Sequence, residues 1–168
     1  ILLANGIIRA DGSSYMPGAG AVLSVSRESS VPLRELLITH EGFHGVFFSL
    51  PAFQDACRSA WNALDPDERA VWRAFLDLKG YNTADPYLVV NEFQAYLFQQ
   101  ERAEVPVFQE ITLQRVRDAF PALAPAVRRI EAGRPDSFLA SFDRLDRALA
   151  AAGGPPGGRV LGVRRTLP

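Results

Sequence analysis

Cysteine and histidine, the side chains that most often staple or metallate a small protein, are almost missing. The chain has one cysteine, Cys57, and two histidines in 168 residues. A single cysteine excludes an internal disulfide and a cysteine-rich zinc site. Cys57 lies on a helical apolar stripe with Phe53, Ala60 and Trp61, and reads as a small buried hydrophobe. Neither sign of charge dominates, with 18 basic and 19 acidic residues, so nothing draws the chain to nucleic acid or an anionic membrane. No apolar run approaches the ~20 residues of a membrane span. A signal peptide is also absent, and the chain opens at Ile1 rather than methionine. The expectation is a processed form or an excised part of a longer polypeptide, with an extracytoplasmic location favoured if it is a processed fragment. What the composition does supply is apolar mass. At 48% hydrophobic residues the chain can bury one sizeable core, and one domain is expected.

Both histidines fall in one stretch, His40-Glu41-Gly42-Phe43-His44, an H-E-x-x-H pattern. Chance places two histidines four apart, with one of nine glutamates directly after the first, roughly once in 1,500 arrangements, so accident explains it poorly. Apolar residues on both sides (Leu33, Leu36 and Leu37; Val46, Phe47 and Phe48) predict a helix. On a helix, positions i and i+4 stack on one face, so the two imidazoles can reach one ion, and imidazole nitrogen suits zinc. Glu41 projects about 100° around the helix from His40, beside the ligands. There its carboxylate can address an attacking water instead of the metal, as in a metal-assisted hydrolase.

The rest of the chain reads as a small sheet followed by a helical body. Residues 1–4 and 7–9 read as strand pieces around Asn5-Gly6, a hairpin dipeptide, and residues 12–20 as a turn-rich loop. Residues 21–26 are a further strand candidate. Ser29 or Ser30 can cap the histidine-bearing helix, which holds Pro32 in its first turn and should end near Phe48. A second helix is expected over residues 51–63. A third opens with the capping box Asp65-Pro66-Asp67-Glu68 and stops at Gly80. A fourth opens at Asp85-Pro86, and more helices follow, broken near Pro121, Pro125 and Pro135. Residues 1–152 then form the domain, and 153–168 a glycine- and proline-rich linker and tail. Phe43, Phe47, Phe48, Phe53, Trp61, Trp72 and Phe75 recur at helical spacing and are assigned to the core.

Catalytic zinc usually has three protein ligands, and with no third histidine the remaining one should be a carboxylate. Glu92 is the choice, because residues 87–98 are apolar on most sides and a carboxylate there must be paired or metal-bound. An ion pair with Arg73 or Arg115 is the plainer explanation. Glu101, Glu104 and Glu110 sit in polar sequence and read as solvated.

The five-residue motif, followed by Asn91-Glu92 on another helix, resembles the gluzincin metallopeptidases, the thermolysin-like group, in a minimal single-domain form. The likeness covers roughly residues 21–100. It implies an α+β zincin fold: a small N-terminal sheet, then a mainly helical body carrying the motif. A strand just before the active-site helix would edge the substrate cleft, and residues 21–26 match it. Gluzincins often carry an aspartate four residues after the glutamate ligand to orient the first histidine, and here that position is Tyr96. Asp85 and Asp77 are candidates for the missing support. Asp85 is also the rival third ligand, since residues 82–87 resemble the aspartate-ligand branch of the zincins, although helix capping explains it too. Metzincins need a third histidine at position 50, which is Leu50, so that branch is excluded.

The resemblance implies a zinc-dependent metallopeptidase acting on a peptide or protein substrate. Glu41 would be the general base, passing the water's proton to the departing amine. A donor for the oxyanion would come from Tyr87, with Tyr81 as the alternative and Tyr15 as a third possibility. Gly42 and Gly45 would admit either a substrate or a close helix neighbour. The competing expectations are a non-catalytic metal-binding helical module and a zinc hydrolase of a non-peptide amide.

Overall fold

Proline opens six of the seven α-helices found among the described residues, at positions where its missing N–H has no intrahelical partner to lose. A computed structural model describes residues 1–18, 22–24, 26 and 28–159. The elements are β1 (Ile8–Asp11), β2 (Ser14–Pro17), α1 (Val31–Ser49), α2 (Pro51–Asn62), α3 (Pro66–Leu78), α4 (Pro86–Phe98), α5 (Val105–Ala119), α6 (Ala124–Gly133) and α7 (Ser137–Ala151). Short 3-10 turns lie at Arg102–Glu104 and Pro121–Leu123. The class is α+β, mostly helical, with a two-stranded antiparallel sheet at the N-terminus. No helix among the described residues is long and apolar enough to cross a membrane.

The hairpin lies one turn later than expected. Ile8 pairs with Pro17 and Asp11 with Ser14, so the connection is Gly12-Ser13, while residues 1–6 form hydrogen-bonded turns. Gly12 has φ +60°, which suits the first central position of a type II′ turn better than any residue with a Cβ. The expected strand over residues 21–26 is also corrected. Val22, Leu23, Ser24 and Ser26 have irregular backbone, and Ala21 and Val25 lie outside the described residues. An apolar alternation makes a strand only where a neighbour accepts its ladder of hydrogen bonds, and the sheet among the described residues consists of β1 and β2 alone.

The helical starts follow local chemistry. Asp65 and Glu68 close a reciprocal capping box at α3, and Asp85 accepts from the Tyr87 and Leu88 N–H groups at α4. Gly80, with φ +85°, turns the chain out of α3. The core contains Phe43, Phe47, Phe53, Trp61, Trp72 and Phe75 as expected, but Phe48 is 54% exposed. One residue beyond Phe47, it points about 100° away from the core-facing stripe. The segment read as a linker lies against the body: Gly157 donates to Asp146 at 2.6 Å and Arg159 to Glu104 at 2.7 Å. Residues 160–168 lie outside the described residues.

The helices that matter for the site are α1 and α4. His40 meets Tyr96 and Gln99, His44 meets Asn91, and Phe47 meets Tyr87, so the two run antiparallel in close contact. Both are apolar around most of their circumference. Polar residues held between them are therefore enclosed by construction.

Candidate metal centre

His40 and Glu92 are nearly buried, at 6% and 5% exposure, and His44 is half-buried one turn along α1. The three side chains converge. His40 Nε2 lies 3.1 Å from His44 Nε2 and 3.3 Å from Glu92 Oε2, and His44 Nε2 lies 3.4 Å from Glu92 Oε1. They form the cluster of potential ligands found among the described residues.

The outer ring nitrogens decide what these contacts mean. His40 Nδ1 sits 2.9 Å from Gln99 Oε1, and His44 Nδ1 sits 2.9 Å from Asn91 Oδ1. Amide oxygens only accept, so each Nδ1 carries its proton outward. In a neutral ring the Nε2 lone pair is then left facing the other imidazole and the carboxylate. Gln94 reinforces this, donating through Nε2 to Asn91 Oδ1 at 3.3 Å and to the Phe43 carbonyl at 3.2 Å. Glu92 Oε2 accepts no hydrogen bond, although His40 Nε2 is beside it. No arginine pairs with Glu92 among the described residues. Of the two arginines considered as alternative partners, Arg73 donates to the Thr83 carbonyl and lies over the Trp61 ring, and Arg115 lines a separate pocket with Phe75 and Leu78.

A divalent cation would satisfy this set of acceptors. Zinc arms of about 2.0–2.1 Å at tetrahedral angles give ligand–ligand edges of about 3.3–3.4 Å. The three observed edges, 3.1, 3.3 and 3.4 Å, fit that spacing. The donor set, two imidazoles and one carboxylate, also suits zinc chemically, and the amide oxygens behind the rings fix their orientation.

The cluster opens into a cleft of roughly 360 Å³, lined also by Glu41, Gly45, Phe48, Tyr81, Val22 and Leu23. Glu41 is therefore beside the cluster without belonging to it. Tyr81 reaches the cleft from the loop before α4, with its hydroxyl 3.5 Å from that of Tyr96. Burial first, then the bond to Tyr96 and the Glu92 carboxylate, push the Tyr81 phenol well above its ordinary range, so it stays a proton donor. Burial raises the Tyr96 phenol too. Tyr96 stacks edge-on against His40 at 4.8 Å and thus braces the ring whose expected aspartate it replaces.

Two candidates lie elsewhere. Tyr87 packs against Phe47 and Phe48 and lines a different pocket, because five residues before Glu92 is about 140° around the helix. Asp85 spends its carboxylate on the α4 N-terminus and is outside the cluster, and Asp77 supports neither histidine. Tyr15 lies in β2, exposed and away from the cleft lining. Gln99 was the residue the sequence reading missed. Glu92, Tyr96 and Gln99 occur at i, i+4 and i+7, one helical face, which is the signal that could have found it.

Comparison with protein-family models, with curated proteins and with solved structures finds no match.

Proposed function

We propose that the chain is a zinc-dependent metallopeptidase whose metal is held by His40, His44 and Glu92. The observation that carries this reading is the convergence of two imidazole Nε2 atoms on a buried carboxylate that no arginine or lysine neutralises among the described residues. A zinc ion in that set supplies Lewis acidity, lowering the pKa of water and polarising a carbonyl. Glu41, on the rim of the same cleft, takes the proton of the attacking water and passes it to the departing amine. Tyr81, not Tyr87, is the donor for the developing oxyanion, since Tyr81 lines the cleft and Tyr87 lines a different pocket. Gln99 and Asn91 keep both ligand nitrogens aimed inward.

The test is Glu41→Gln. This variant should bind zinc as the wild type does and lose cleavage across a diverse peptide set. If the zinc-loaded wild type is as inert as the variant, the peptidase reading fails. One observation favours a second reading, a zinc hydrolase of a non-peptide amide. The cleft wall at Val22 and Leu23 has irregular backbone, so it offers no strand edge for an extended peptide among the described residues. Turnover of small carboxamides without turnover of peptides would select it.

A further inference from the structure

A second pocket, of roughly 370 Å³, lies at the end of α1 and the start of α4. Phe47, Trp61 and Val90 line it but are almost fully buried, so the surface it offers is chiefly Pro86 and the half-exposed Tyr87 ring, with Arg58 and Arg73 beside them. Arg73 is half-buried, lies 5.6 Å over the Trp61 ring, and has no carboxylate within ion-pair distance among the described residues. Among the described residues Arg58 is paired with Asp55 on the open surface, a contact that water weakens and a ligand can displace. An aromatic slot with two cations at its mouth suits a flat apolar group joined to a carboxylate.

The pocket adjoins the metal cleft. Phe48 lines the cleft, and its ring faces Tyr87, a wall of the pocket, at 6.4 Å. Along α1, Phe47 lies three to seven residues beyond the two histidines, roughly 5–10 Å at the helical rise. That is the reach of about two or three extended peptide residues. The charges of the two places are also opposed. The described lining of the cleft carries Glu41 and Glu92 and no arginine or lysine, whereas the pocket carries two arginines and no acid. A chain end bearing a carboxylate finds two guanidinium partners in the second.

We propose that this pocket binds the C-terminal residue of a peptide, an aromatic side chain against the exposed ring of Tyr87 with its free carboxylate on Arg73 and Arg58. It would thereby set a bond about two or three residues from the chain end over the metal cleft. The substrate role rests on the peptidase reading, but the binding does not. Titration of the zinc-loaded protein with N-acetyl-phenylalanine, with its amide, and with N-acetyl-aspartyl-phenylalanine amide, followed by isothermal titration calorimetry, tests the binding without any cleavage. The free acid should bind at least about tenfold more tightly than either amide. Arg73→Gln should abolish that preference. The exposed Arg58→Gln, which leaves the packing intact, should reduce it several-fold. Equal affinity for acid and amides in the wild type, or an unchanged preference in both variants, overturns the proposal. Tight binding of the aspartyl amide would overturn the chain-end assignment. If the acid is preferred and no peptide is cleaved, the pocket stands and the peptidase reading falls.

Discussion

Asp65, Asp67 and Glu68 crowd the first turn of α3, and each meets a guanidinium. Arg129 forks onto Asp67 at 2.6 and 2.7 Å, and Arg134 reaches Asp65 at 3.0 Å and Glu68 at 3.8 Å. The Arg134 and Arg129 bonds hold the Asp65 and Asp67 carboxyls below their ordinary range. Glu92 is as enclosed as Glu68, but its neighbours are two imidazoles whose protons point away. The α3 cluster is balanced by residues of the chain itself and so has a structural role. The α4 carboxylate lacks that balance, and a buried acceptor set left in this condition is costly unless a cation completes it. Acid clustering therefore distinguishes nothing by itself. What separates the two places is whether a guanidinium among the described residues neutralises the carboxylate.

The contrast breaks most sharply at the ligands. Glu92→Ala or His44→Ala should lower zinc affinity by more than about a hundredfold, measured against a competing chelator. Asp85→Ala should leave zinc affinity unchanged and cost about 1 kcal/mol of stability, the usual loss of an N-cap. The reverse order would move the third ligand to Asp85. Behind the ligands the effect should be smaller. Gln99→Leu should cost roughly 10–100-fold in zinc affinity, and Gln99→Glu, which keeps an acceptor on His40 Nδ1, should recover most of it. An unchanged affinity in Gln99→Leu would show that the ring needs no such support.

On the α3 side the readout is pH and not metal. The Asp67 carboxyl has its folded pKa lowered from 3.8 by Arg129, so its contribution is complete above about pH 4 and disappears as pH falls through the lowered folded value. The gap in urea midpoint between wild type and Asp67→Asn should be constant from pH 7 to pH 5 and close on further acidification. A gap independent of pH would mean that the pair with Arg129 adds nothing specific to the charged form. The smallest effect is expected at Gly42. An added Cβ there meets no described atom within 4 Å, so Gly42→Ala should stabilise α1 by about 0.5–1 kcal/mol and leave zinc binding intact. A loss of zinc in that variant would mean that the position is reserved for something approaching the cleft.

Much of this contrast was legible from local patterns. The i, i+4 spacing of His40 and His44, the enclosed setting of Glu92 and the capping residues of α3 and α4 each act over a few residues, and each is seen where expected. Other features depended on neighbours far along the chain. Gln99 serves His40 from 59 residues away, and nothing near either residue announces the bond. Tyr81 and Tyr87 are chemically alike in the sequence, but the loop before α4 brings Tyr81 to the cleft while the helical angle of Tyr87 turns it against Phe47. Phe48 joined the core on periodicity but lies at its edge, because the apolar stripe of α1 is wider than the surface that covers it.

Sequence alone determined which atoms could bind a metal and that a helix would carry two of them, since helical spacing and side-chain chemistry need no knowledge of the rest of the chain. Tertiary structure decided that Glu92 meets both imidazoles, that amide oxygens stand behind them, and that no arginine among the described residues pairs with it. Those are outcomes of two apolar helices packing antiparallel, and the register of that packing is set by the whole core.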